Sequence, residues 1–206
     1  MLKDSSDSRH TETEVKLRVA DLERVRLRLE ALGASLHIPR VLERNIRYDD
    51  LNGAFEATGR VLRLRQDNAI HLTYKEPGTP IEHGATTRTE IEFTVSDLEA
   101  ADLLLQRLGF KPIWRYEKYR TTYTLNHCEI LLDEMPIGNF IEIEGAATDI
   151  GHTLSQLALD SKAVVGESYA ALYKRVCAYL GIPVLDLTFD NFKGRVIPEA
   201  AFAQPE

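Results

Sequence analysis

Residues 12–18 read Glu12-Thr13-Glu14-Val15-Lys16-Leu17-Arg18. Charged side chains hold every second position, and Val15, Leu17 and Val19 alternate with them. A strict period of two marks a β-strand, whose successive side chains point to opposite faces. Side chains two apart lie roughly 7 Å from one another along a face. Two carboxylates and two cations therefore share one surface. In isolation, that surface reads as the solvated side of an antiparallel strand.

The same pattern returns later in the chain. TEVKLRVADLE (13–23) and TEIEFTVSDLE (89–99) align without a gap at an offset of 76, and Leu32-Gly33 then aligns with Leu108-Gly109. Each half reads strand, helix and about three more strands, a duplicated supersecondary unit. The first half predicts a helix over 21–32, with Leu22, Val25, Leu29 and Leu32 at helical spacing and Gly33 as its stop. Residues 36–49 predict a strand broken near Pro39, 54–58 a helical turn, and 60–65 and 70–75 two more strands. Glu76 to Ala85, with Pro77, Gly78, Pro80 and Gly84, predicts a mobile loop. In the second half, strand 87–95 precedes a helix that Ser96 and Glu99 cap, with Leu98, Ala101, Leu105 and Leu108 inward. Strands at 113–124, 128–133 and 139–144 follow, then helices at 150–159 and 168–180.

The expected fold class is α+β: one closed eight-stranded antiparallel barrel built from two duplicated halves, with helices outside. Closure removes exposed sheet edges. The expected domain spans 11–182, with a disordered leader at 1–10 and a C-terminal extension at 183–206.

The chain has 206 residues, a net charge of −7, 44% hydrophobic and 28% charged residues. This composition fits a soluble globular protein and argues against general nucleic-acid binding through phosphate attraction. Two distant cysteines, Cys128 and Cys177, suggest neither a disulfide framework nor a zinc site. The polar N-terminus lacks a signal-like apolar run, and no apolar stretch reaches membrane-spanning length. The expectation is a cytoplasmic protein, monomer or homodimer, with no membrane and no nucleic-acid partner.

The charged face recurs in nearly every predicted strand. It offers the cations Lys16, Arg18, Arg63, Arg65, Lys75, Arg88, Lys118 and Arg120. Against them stand Glu12, Glu14, Glu90, Glu92, Asp133, Glu142 and Glu144. Inside a closed barrel, uncompensated charge is costly without a charged ligand or metal. Arginine matches phosphate oxygens bidentately and lysine adds a point charge, so the cations suit a polyanion such as a triphosphate. Carboxylates without His or Cys support suit a hard cation, Mg²⁺ or Mn²⁺. Metal-assisted phosphoryl or nucleotidyl transfer, a charged scaffold and a non-catalytic anion binder all remain open on these residues.

The ordered set Glu12-x-Glu14-x-Lys16, Arg63-x-Arg65, Lys75, Arg88-x-Glu90-x-Glu92, Lys118-x-Arg120, Asp133 and Glu142-x-Glu144 resembles the CYTH superfamily, the triphosphate tunnel metalloenzymes. That family includes class IV adenylate cyclases, thiamine triphosphatases and inorganic triphosphatases. The resemblance runs from about residue 11 to 181. It implies a tunnel open at its ends, in which Lys16, Arg63, Arg65, Lys75, Lys118 and Arg120 grip the triphosphate. It also implies that Glu12, Glu14, Glu142 and Glu144 hold Mg²⁺ or Mn²⁺, with Glu90, Glu92 and Asp133 as second-metal or water-orienting groups. Arg18 and Arg88 either bind phosphate or balance neighbouring carboxylates. Glu12, Glu14 and Lys16 are the expected catalytic set, with Glu12 or Glu14 helping to activate water.

The compared cyclases carry a His-Phe pair shortly before the first glutamates, where this chain has Ser8-Arg9-His10-Thr11. The expected activity is therefore hydrolysis of an inorganic, nucleoside or thiamine triphosphate. The alternatives are a class IV-type adenylate cyclase and a non-catalytic binder of polyphosphate or phosphometabolites. Trp114 and Tyr116 read as packing residues, with stacking on a base as the other option. His71 faces the interior.

Overall fold

The computed structural model describes residues 10–160 and 163–203. All but the last residue of the predicted leader lies outside the described residues. In chain order the elements are β1 (Thr11–Val19), α1 (Leu22–Ala31), β2 (Ser35–Asp50), α2 (Ala54–Ala57), β3 (Val61–Gln66), β4 (Ile70–Lys75) and β5 (Thr79–Pro80). The second half runs β6 (Thr86–Val95), α3 (Leu98–Arg107), β7 (Phe110–Leu125), β8 (Cys128–Met135), β9 (Gly138–Glu144), α4 (Ala147–Leu157) and α5 (Tyr169–Leu180).

Eight antiparallel strands close a ring in the order β1-β9-β8-β7-β2-β3-β4-β6, which the β1–β6 pairing completes. Strand β5 is a two-residue addition beside β6. The two halves interlock. Strand β1 sits beside the β7–β8–β9 meander of the second half, and β6 sits beside β2–β3–β4 of the first.

The repeated Asp-Leu-Glu triplet explains where α1 and α3 begin. The Asp21 carboxylate accepts from the amides of Glu23 and Arg24 at 2.9 and 3.2 Å, and Asp97 accepts from Ala100 N at 3.0 Å. A side-chain acceptor satisfies amides that the first turn leaves without partners. The cap of α3 is thus Asp97, one residue after the predicted Ser96. Leu105 is buried as expected, but Leu108 is 65% exposed, because it stands at the C-cap rather than on the packed face. Strand β2 is continuous rather than broken at Pro39; its ladder with β7 absorbs that residue as register shifts around Ile38 and Val41. Proline has no N–H to contribute there.

Two apolar cores lie between the barrel wall and the helices outside it, and a third lies under α5 at one end of the barrel, where Phe140 shares the inward face of Glu142 and Glu144. Val25 and Leu29 of α1 and Ile150 of α4 pack on Val15, Leu17, Ile130, Ile141 and Ile143. Leu105 of α3 joins Tyr48, Leu62 and Leu64. Leu172, Tyr173, Val176 and Cys177 of α5 join Phe140, Leu187 and Phe192. Apolar residues at alternate strand positions thus carry the packing outside the wall, and the inward face is left to the charged set except where Phe140 and Tyr116 meet α5 at one end.

Later segments seal both places where the ring opens. Val165 N donates to Lys16 O at 2.8 Å along the side of β1 that β6 has left. Leu187 N donates to Arg115 O at 2.9 Å along the part of β7 that β8 does not reach. Gly84, at φ +73, lies so close to Val164 that a Cβ would stand 2.9 Å from its Cγ1. Helix α5 covers one end of the barrel, where open ends were expected; the Tyr169 hydroxyl donates to Asp133 Oδ2 at 3.0 Å. No helix among the described residues is long and apolar enough to cross a membrane.

Candidate active site

The barrel encloses a cavity of about 630 Å³. Its wall includes Glu12, Glu14, Lys16, Arg63, Arg65, Lys75, Arg88, Glu90, Glu92, Lys118, Arg120, Glu142 and Glu144. Period-two alternation, continued around a closed ring, aims all of these inward. Carboxylates outnumber cations among the lining side chains. Most cations are therefore held by carboxylates of this chain.

Three groups of charges result. In the first, Lys75 Nζ lies 2.9 Å from Glu12 and 2.6 Å from Glu90, while Arg88 donates to Glu12 at 3.0 Å and also to Glu14. In the second, Arg120 grips Asp133 with two bonds of 2.7 Å and also pairs with Glu142. Lys118 lies 2.8 Å from Asp133 and Lys16 lies 3.1 Å from Glu142. In the third, Arg65 donates to Glu92 at 2.9 Å, Thr73 donates to Glu92 at 2.6 Å, and Arg63 lies 3.5 Å from it. His71 Nδ1 stands 3.2 Å from Glu92 as well.

Glu144 departs from this pattern. It stands opposite Glu14 across β1–β9 and opposite Glu129 across β8–β9. Like charges directly opposite on a sheet repel. Glu12, Glu14 and Glu144 each bring a carboxylate oxygen within 4.8 Å of the other two. Burial and the neighbouring Glu12 push the Glu144 carboxyl up to about 7. Burial alone would raise Glu12 too, but Lys75, the hydrogen bond with Glu90 and Arg88 bring it down to about 2. Burial and that same hydrogen bond push Glu90 up to about 7. Burial also opposes ionisation of Glu142, yet Lys16, Lys118 and Arg120 hold it well below the usual carboxylate range. An all-oxygen cluster in which one carboxylate, Glu144, makes no ion pair among the described residues fits a hard divalent cation, which would relieve the crowding. Among the described residues Glu12, Glu14 and Glu144 form that cluster. Glu12 and Glu14 pair with Lys75 and Arg88 as Glu92, Asp133 and Glu142 pair with their own cations, and Glu144 is the member that stands apart.

Two predicted residues sit elsewhere. Arg18 pairs with Glu199 and lies 3.7 Å from the Phe202 ring centroid. It shares the face of Lys16 but stands beyond the cavity wall, under the C-terminal segment. Asp133 is fully buried and held by Lys118, Arg120 and Tyr169, behind the cations rather than on the wall.

Four residues outside the predicted set join the site. Glu43, on β2, lies 3.5 Å from Lys118 and 3.7 Å from both Arg65 and Arg120. Arg47, four residues further along the same face of β2, and Glu129 also line the cavity. Glu43-x-Asn45-x-Arg47 carries the same period-two signal, which the proline nearby obscured. Tyr169 enters from α5, 4.2 Å from Lys16 by its ring centroid. A tyrosine in an apolar helical stripe carries no sequence signal for reaching a barrel interior. Trp114 stacks on Tyr116 and Tyr173 at 4.7 and 5.7 Å.

A model of the CYTH domain matches residues 10–164. No curated protein matches the chain in sequence. Among solved structures, the PH1819 protein of Pyrococcus horikoshii OT3 is 28% identical, with a TM-score of 0.65 over 78% of this chain and 97% of that one. The PH1012 protein of the same organism is 27% identical, with a TM-score of 0.66 over 78% and 98%. A protein from Hippeastrum, HpAC1, described as an adenylyl cyclase candidate with a dominant triphosphatase activity, is 18% identical, with a TM-score of 0.59 over 84% and 97%.

Proposed function

The chain belongs to the CYTH domain family, and from that premise we propose that it hydrolyses a triphosphate-bearing small molecule with the help of Mg²⁺ or Mn²⁺. One observation supports the reading above the others: an interior with phosphate-type cations in which carboxylates are nevertheless in excess. A polyanion enters such a space only with cations of its own. Glu12, Glu14 and Glu144 have the donor set to hold a divalent cation, the first two from β1 and the third from β9. A bound divalent cation would neutralise phosphate charge and polarise the phosphorus under attack.

The remaining work falls to the chain's own side chains. Arg63, Arg65, Lys75, Arg88, Lys118, Arg120 and Lys16 supply donors on all sides of the cavity and position the phosphates. Their carboxylate partners keep them aligned before substrate arrives, so little reorganisation accompanies binding. Glu12 and Glu14 orient the attacking water against the terminal phosphorus. The orientation of the bound triphosphate decides which phosphorus meets the nucleophile.

The test is incubation of purified protein with tripolyphosphate, ATP and thiamine triphosphate, with Mg²⁺ or Mn²⁺, followed by separation of the products. Orthophosphate release supports hydrolysis. Cyclic AMP with pyrophosphate would replace it by cyclisation, and binding without turnover under either metal by a non-catalytic role.

A further inference from the structure

Arg47 differs from the other cations of the cavity wall. Lys16, Arg63, Arg65, Lys75, Arg88, Lys118 and Arg120 each have a carboxylate within ion-pair distance. Among the described residues Arg47 makes no ion pair, and its buried Nε has no hydrogen-bond partner. It stands opposite Arg63 across β2–β3 and opposite Trp114 across β2–β7. A partly buried guanidinium beside another, with Asp49 and Glu56 acting on it only from beyond ion-pair distance, is an unfavourable arrangement.

Trp114 adds a second unmet donor. Its indole Nε1 is buried and has no acceptor. Its ring already stacks on Tyr116 and Tyr173, so what it offers to a ligand is the N–H rather than a stacking surface. Buried polar groups that find no partner within a fold mark a position where a ligand or water completes them. Here Arg47 Nε and Trp114 Nε1 are both donors, as is the unmet Nε of Arg63 opposite Arg47, and all three residues line the cavity. A ligand group made only of acceptors, and negatively charged, satisfies them; a nucleobase, with donors of its own, does so less completely. Arg63 lies between this corner and the Thr73–Glu92 group, which connects it with the rest of the phosphate-type wall.

We propose that Arg47 and the indole N–H of Trp114 form a subsite for a further phosphoryl group, so that the cavity favours linear polyphosphates of four or more phosphates over a bare triphosphate. This rests on the triphosphate reading of the cavity and specifies the ligand of the same site.

Trp114 is the only tryptophan of the chain, so its emission reports on this corner directly. Tripolyphosphate, tetrapolyphosphate and ATP are titrated at fixed free Mg²⁺, by fluorescence and by calorimetry, into wild type, Arg47→Met, Arg47→Lys and Trp114→Phe, the last by calorimetry alone. Wild type should bind tetrapolyphosphate about tenfold or more tighter than tripolyphosphate, the size of one charge-assisted hydrogen bond. Arg47→Met and Trp114→Phe should bring that ratio towards one, and Arg47→Lys should restore part of it. A wild-type ratio near one, or a ratio that survives in Arg47→Met, overturns the subsite. So does a Trp114 response to ATP but not to tetrapolyphosphate, which would give the corner to the organic part of a nucleotide. Retention of these ratios in a protein that hydrolyses none of the three would remove the hydrolytic reading and leave the subsite standing.

Discussion

Glu12 stands directly across the β1–β6 ladder from Arg88, the residue that occupies its own place in the second copy of the repeat. The pseudo-twofold relation between the halves therefore passes through this pair. A residue on such an axis faces its own counterpart, and two glutamates or two arginines there would repel at close range. Opposite signs turn the clash into an ion pair of 3.0 Å. The other crossing of the axis repeats the solution. Strands β2 and β7 are both 16 residues long and start and end 75 residues apart, which makes Lys118 the counterpart of Glu43. The two are cross-strand partners, with Lys118 Nζ 3.5 Å from the Glu43 carboxylate.

A charge-reversal series tests the axis. Arg88→Glu should destabilise the fold by about 2–4 kcal/mol, the cost of breaking a partly buried pair and placing like charges opposite one another. The double exchange Glu12→Arg with Arg88→Glu should recover most of that loss in urea unfolding. Turnover should not return, because Glu12 also belongs to the carboxylate cluster. Equal stability of the single and double variants would remove the electrostatic account.

The carboxylate cluster predicts opposite effects of one substitution with and without metal. Glu144→Gln should raise the melting temperature of metal-free protein, since it removes a buried, crowded carboxylate. It should also reduce the stabilisation that Mg²⁺ or Mn²⁺ confers, which for a single site at a hundredfold excess over Kd is about 2.7 kcal/mol. Thermal unfolding in chelator and in millimolar metal measures both. A metal-induced shift that is the same in wild type and variant places the cation elsewhere.

Glu14→Gln should lower kcat by about a hundredfold or more, in line with removal of a group that stabilises the transition state, with an unchanged circular dichroism spectrum. Wild-type rates in this variant would withdraw Glu14 from the chemistry.

Acid should release the Glu43 contribution. Burial opposes its ionisation, but Lys118, Arg120, Arg65 and Arg63 bring the carboxyl down to about 2 from an ordinary 4.5. The folded value lies below the unfolded one, so the stabilisation is complete above about pH 4.5 and is lost as pH falls through about 2. Its upper size is about 3 kcal/mol. The stability difference between wild type and Glu43→Gln, taken from urea unfolding, should shrink steadily between pH 5 and pH 2.5. A difference that stays constant across this window would show that the carboxylate is not held ionised by those cations.

The sequence by itself determined a great deal. Period-two alternation at 12–18 and its echo at 88–94 are local consequences of strand geometry, so they assign both the element and the face of every charged residue on it. Duplication with helical stops at Gly33 and Gly109 is enough for eight strands, and eight strands close. The carboxylate-rich, cation-rich interior follows from those two steps. Tertiary structure decided which charges meet. Glu12 faces Arg88 because antiparallel register places repeat counterparts on the axis, and register is a relation between strands 76 residues apart. Arg18 keeps the shared face but pairs with Glu199 outside the cavity, because the C-terminal segment packs against that end of β1. Asp133 goes behind Lys118 and Arg120, and Tyr169 reaches the interior, because α5 folds over the end of the barrel. Arg47 remains without an ion pair among the described residues for the same kind of reason. A side chain's face is set by its neighbours two positions away, but its partners are set by strands and helices that the chain brings together only on folding.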